Sequence, residues 1–206
     1  MKISGENTIP HPAEEVWDAL LDPAVLVRTI PGCERLETTG EHTYDMTVTA
    51  GVASIKGTYA GTCSLSDLVP HESLVMRLQG AGAPGTIDAT VHVSFRDGGE
   101  DGPTTVEYDA DAVVGGMVGG VGQRMLGSVS KRMAGEFFGN VARAIGGEGP
   151  APVAVPAAGE PAVGQVFTAP ARPADARQDF LTGVAVGAGL VLLGVVAGSL
   201  FGRRRR

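Results

Sequence analysis

The chain carries little with which to do chemistry. Of its 206 residues two are cysteine, four histidine and one tryptophan. Cys33 and Cys63 belong to no C-x-x-C pair, and His11, His42, His71 and His92 show no ligand spacing, so neither an iron–sulfur cluster nor a zinc site is expected. There is no Gly-x-Ser-x-Gly elbow to raise a nucleophile. GAGAPG at 80–85 satisfies G-x-G-x-x-G. However, Pro84 interrupts it, and a strand pattern follows where a pyrophosphate would need a helix N-terminus. GGMVGGVG at 115–122 lacks the Gly-Lys-Ser/Thr of a phosphate loop. Positive charge is also scarce. The net charge is −7, and −11 once the four terminal arginines are set aside, which disfavours nucleic acid as a partner. The first twenty residues hold Glu6, Glu14, Glu15 and Asp18 and no apolar run, so they do not read as a secretory signal. In a chain without export both cysteines are expected to be small buried apolar residues rather than a disulfide.

The sequence is richest in information at its other end. Between Asp179 and Arg203 lie 23 uncharged residues, FLTGVAVGAGLVLLGVVAGSLFG, followed by four arginines. As a helix they would span roughly 34 Å, enough for a hydrocarbon core of about 30 Å. Residues 180–206 are therefore expected to be a membrane anchor. The positive-inside rule wants the arginines in the cytoplasm, and without a leader the preceding chain stays there too. A full crossing cannot meet both conditions, and two arrangements escape the conflict. Either the tail crosses and carries its arginines over, at a cost, or it lies tilted or re-entrant with the arginines snorkelling to the near headgroups. In both, the rest of the protein sits at the cell membrane on the cytoplasmic side.

A composition break at Gly146 separates this anchor from the remainder. Residues 146–179 are rich in Pro, Ala and Gly and poor in large apolar side chains, which predicts a disordered tether with a mean span of roughly 30 Å. Residues 1–145 then form one domain large enough for a single core. Lys2–Ile9 reads as a strand. Residues 13–22 and 23–30 read as two short helices, each opened by a proline. Six alternating runs follow, at 34–39, 42–50, 57–69, 73–82, 86–96 and 104–114. Ile87, Ala89, Val91, Val93 and Phe95 share one face, as do Val106, Tyr108, Ala110 and Ala112. Glu107, Asp109 and Asp111 make the solvated face opposite. From Met117 the period changes to helical, predicting one long amphipathic helix to Ile145, ended by Gly146-Gly147. The expected class is α+β, with an antiparallel sheet covered by the final helix.

These residues resemble a known family. HPAEEVWDALLDP, IPGCERLE at 30–37, AGVASIKGTYAG at 50–61, GAGAPG, and TTVEYDADAVVGGMVGGVGQRMLG running into GEFFGNVARAI are similar to the CoxG family of carbon monoxide dehydrogenase subunits. That family lies within the START/SRPBCC superfamily, whose helix-grip fold is shared with the major birch-pollen allergen. The resemblance covers 1–145 and implies a cavity between sheet and helix for an apolar molecule. It also implies a molybdenum-containing carbon monoxide dehydrogenase, or a related molybdenum hydroxylase, as partner. The expected role is a non-enzymatic carrier whose guest is a respiratory quinone, menaquinone or similar, with no covalent cofactor and no metal. Membrane recruitment or assembly of the dehydrogenase without carriage is the alternative. Cyclase chemistry, known on this fold, would need a paired acid and base that the sequence does not display.

Alternation and the helix pattern nominate the wall of that cavity. It comprises Tyr44, Met46, Tyr59, Met76, Leu78, Ala89, Val91, Tyr108 and Ala110 from strands, and Met117, Gly119, Gly120, Val121 and Met125 from the helix. Gly119 and Gly120 are expected to notch the helix at the cavity mouth, since each glycine weakens a helix by up to about 1 kcal/mol and room for a guest would offset that. Close backbone packing is the competing explanation. Deleting 180–206 should move the protein to the soluble fraction with its fold intact. Fractionation after a salt wash checks this, and a truncated chain that still pellets with membranes would refute the anchor.

Overall fold

A computed structural model describes residues 1–96, 98–99, 102–147 and 164–169; the expected anchor at 180–206 and most of 146–179 lie outside these. Among the described residues no helix is long and apolar enough to cross a membrane. The described chain runs β1 (Lys2–Ile9), α1 (Ala13–Leu21), α2 (Pro23–Thr29), β2 (Cys33–Gly40), β3 (Thr43–Val52), β4 (Ile55–Val69), β5 (Ser73–Gly82), β6 (Gly85–Arg96), β7 (Thr104–Gly115), α3 (Gly116–Gly119), α4 (Gln123–Ile145) and β8 (Val166–Thr168).

The strands form one antiparallel sheet in the order β1-β7-β6-β5-β4-β3-β2-β8. Six of them, β2 to β7, follow one another as a meander. β1 closes the far side by pairing with β7, Lys2 opposite Asp111 through Ile9 opposite Thr104. The expected alternation holds. Ala89, Val91, Phe95, Val106, Ala110 and Ala112 are buried on the inner face, while Asp109 and Asp111 are exposed. The two short helices fill the turn from β1 to β2. Asp22 starts α2 by accepting a 2.8 Å hydrogen bond from the Ala24 amide, with Pro23 in the first turn.

The C-terminal half of α4 is clamped. Phe138 and Val141 enter a cluster with Ile9, Val16, Trp17, Val25, Leu74, Phe95 and Val106. Trp17 meets the Phe95 ring edge-on at 5.5 Å. Two polar ties fix its position. The Asn140 amide donates to the Thr29 carbonyl at 2.8 Å, capping the end of α2. His11 Nε2 lies 3.1 Å from the Ala142 carbonyl. A second cluster, Val27, Cys33, Leu36, Tyr44 and Cys63, fills the space between α2 and the other side of the sheet.

Two expectations need correction. The helix expected from Met117 to Ile145 is interrupted. Gly116–Gly119 make a single turn, and Gly122 stands at φ +88° before α4 begins. A side chain rarely adopts that backbone, so the glycine permits a change of direction there. Nor is 146–179 devoid of ordered structure. Val166–Thr168 adds an edge strand antiparallel to β2, with Leu36 opposite Phe167. Phe167, the sole aromatic residue in the stretch, packs against the second cluster.

Candidate functional site

A cavity of about 490 Å³ lies between the sheet and the N-terminal half of α4. It exists because the core clusters clamp one end of the helix and leave the other spanning open space. Leu126, Val129, Ser130, Met133, Ala134 and Phe137 form the helical wall; Leu20, Leu26 and Ile30 close one side. The floor is the inner face of β3 to β7, where Gly61 and Gly80 are register partners and contribute no side chains. None of the lining residues is Asp, Glu, Lys, Arg or His. Among the described residues no group of His, Cys, Asp or Glu is placed to hold a metal ion.

The cavity has a closed end and an open end. Leu74, Tyr44, Cys63 and Phe138 are buried at the closed end. Thr86, Ile87, Gly51 and Val52 are wholly or partly exposed at the other, beside the β3–β4 and β5–β6 turns and the start of α4. Burial pushes the Cys63 thiol from its ordinary 9.0 up to about 12. The Tyr44 phenol is raised as well, first by burial and then by its neighbours Cys63 and Asp22; its hydroxyl donates to the Leu21 carbonyl at 3.5 Å. At neutral pH the closed end is therefore uncharged.

Of the nominated wall residues, Tyr44, Met46, Tyr59, Met76 and Leu78 line the cavity. Ala89, Val91 and Ala110 are buried on the same face but are not among the lining residues. Tyr108 is spent elsewhere. Its ring covers Gly5 on the neighbouring strand and stacks against Phe138 at 6.3 Å. Met117 and Met125 are exposed, at 62% and 46%, and neither they nor Val121 contribute to the lining. Gly119 and Gly120 open no mouth. A Cβ on Gly119 would lie 2.5 Å from the Val114 carbonyl oxygen, and one on Gly120 would lie 3.3 Å from that of Met117. Gly119 serves close backbone packing, while Gly120 is exposed and is crowded only slightly, by its own turn. The helical wall proper, Leu126, Val129 and Met133, was missed because the break at Gly122 resets the phase of the helix.

Two outcomes follow. Gly119→Leu should lower stability by about 1–3 kcal/mol through overpacking and leave the cavity open; thermal melts with ligand content on the same sample check it. Cys63 binds its proton more tightly folded than unfolded. Its contribution to stability is thus complete below about pH 9 and is lost as pH rises toward 12, with a slope of at most about 1.4 kcal/mol per pH unit. Cys63→Ala should flatten denaturation midpoints across that window.

The comparisons agree with this geometry. A conserved protein from Geobacillus kaustophilus is 33% identical over 71% of this chain and 96% of its own, with a TM-score of 0.68. The ZhuI aromatase/cyclase from Streptomyces sp. R1128 is 17% identical over 75% and 99%, TM-score 0.55. A START superfamily protein from Mycobacterium smegmatis is 13% identical over 71% and 97%, TM-score 0.56. The latter two establish the likeness of fold alone. Comparison with curated proteins finds no match. The model of the CoxG family of carbon monoxide dehydrogenase subunits matches residues 5–146, which is most of the chain and nearly all of the residues that line the cavity, and the protein belongs to that family.

Proposed function

We propose that this protein binds one long apolar molecule in the cavity under α4 and carries it between a membrane and a carbon monoxide dehydrogenase. The observation that carries the reading is a cavity of about 490 Å³ whose lining has no ionisable side chain apart from thiol and phenol groups. Such a wall recognises a guest by shape and apolar area. It offers no paired acid and base for turnover, which supports a non-enzymatic role. Family membership supports association with a carbon monoxide dehydrogenase; the proposed partner is a molybdenum-containing enzyme of that kind or a related molybdenum hydroxylase. Electrons from such an enzyme reach a membrane through a lipid-soluble carrier, so a quinone with an isoprenoid tail is the proposed guest. Its apolar tail suits the floor, and the Tyr59 hydroxyl, the Ser130 hydroxyl and the Cys63 thiol are among the polar groups of the wall. The uncharged stretch at 180–206 is proposed to keep the domain at the bilayer, on the cytoplasmic side.

Native mass spectrometry of the full chain purified from its own membranes, with lipid extraction, tests this. One quinone per chain is expected, and its loss in Leu78→Trp, which fills the cavity from the floor. Protein that carries no extractable lipid in either form would overturn carriage and leave recruitment of the dehydrogenase as the role.

A further inference from the structure

The edge strand β8 has a use that the cavity alone does not require. Six residues of an otherwise Pro/Ala/Gly-rich stretch, 164–169, are held along β2 by three backbone hydrogen bonds beyond the sheet pairing. Gly164 donates to Thr38 O at 2.6 Å, Thr38 to Gln165 O at 3.0 Å, and Ala169 to Glu34 O at 3.2 Å. Phe167 and Ala169 pack against the cluster of Val27, Cys33 and Leu36. The strand is antiparallel, so its end at Thr168 lies beside Arg35, near the start of β2. Cys33 is opposite Val48 on β3, so β8, antiparallel to β2, runs in the same direction as β3, toward Gly51 and Val52 at the open end of the cavity. The last described residues of the chain therefore point toward the mouth end. Ile87, Met117 and Met125, large apolar side chains left 40%, 62% and 46% exposed, stand at this same end.

We infer that 164–169 is a docking strap that sets the direction and the working length of the link to the C-terminal apolar stretch, presenting the cavity mouth and its exposed apolar rim to a lipid bilayer. The inference rests on the proposed anchor and guest. With the strap seated, the link to Phe180 is the ten residues 170–179, at most about 35 Å. Were it unseated, the link would be the thirty-two residues 148–179, with a reach of about 110 Å and exit from the end of α4. Effective concentration falls roughly as the −3/2 power of length, so the seated strap favours encounter between mouth and bilayer by roughly five-fold on length alone.

The test uses the full chain on phosphatidylethanolamine/phosphatidylglycerol vesicles holding a long-tailed naphthoquinone. A protease site within 172–178 of every form releases the domain at timed intervals for quinone extraction. Phe167→Asp should unseat the strap, and twenty Gly/Ser residues inserted after Ala171 should lengthen the link with the strap still seated. Both should slow quinone uptake from vesicles by five-fold or more. Both should sediment with vesicles as the unaltered chain does and should bind quinone delivered in ethanol equally well. Equal uptake rates in all three forms would overturn the strap, as would slowing by the insertion alone. Failure of the unaltered chain to sediment would instead defeat the anchor, and failure to bind ethanol-delivered quinone would defeat the guest. Either removes the ground on which the strap is proposed.

Discussion

Everything in this domain depends on α4 being clamped at one end only. Phe138 and Val141 sit in a fully packed cluster, and Asn140 and His11 tie the same half of the helix to the α2 and β1 corners. Among the described residues no equivalent cluster forms under Leu126, Val129 and Met133. A helix packed along its whole length would squeeze out the void, and one packed nowhere would collapse onto the sheet. Half-clamping makes a stable roof over empty space, because the cost of unfilled volume is met by contacts formed elsewhere along the same rigid rod.

The sheet contributes by omission. Gly61 lies opposite Gly80, and Ala89 opposite Ala112, on strands that must also keep their hydrogen bonds. Small residues let the strands continue while removing volume from the inner face. The larger floor residues Tyr44, Met46, Met76 and Leu78 surround this low area. Packing alone thus divides the interior into a solid half and a hollow half. The burial that raises Tyr44 and Cys63 keeps the hollow half free of charge at its closed end.

The strands and the family were legible in the sequence because period-two alternation and turn residues act locally. Tyr44, Met46, Tyr59, Met76 and Leu78 follow from that alternation, and all five reach the cavity. The helical wall was not legible. A ladder of residues four apart, such as Met117, Val121, Met125, Val129 and Met133, turns by about 40° at each step, so its two ends cannot share a face even in an unbroken helix. The positive φ of Gly122 breaks the helix as well, and a glycine's backbone sign is not written in its neighbours. Tyr108 had the right parity and a different task, since the bare Gly5 beside it drew the ring sideways. Likewise Gly119 could not be told from a notch until the Val114 carbonyl was seen against it. β8 escaped notice because three residues are too few to show a period.

That short strand changes where the folded unit ends. Composition places the boundary at Ile145, yet the outer edge of β2 is covered by residues twenty positions further on. A fragment cut at 145 would leave a row of unpaired amides and carbonyls on β2, next to apolar surface that Phe167 no longer shields. An open edge of that kind recruits another strand from wherever one is found. The shorter piece would self-associate at the concentrations used for crystals or spectroscopy, and its oligomers would be products of the truncation. A fragment ending at Pro170 keeps β2 paired, leaves only the three-residue β8 at that edge, and is the smallest unit whose behaviour in solution reports on the whole domain.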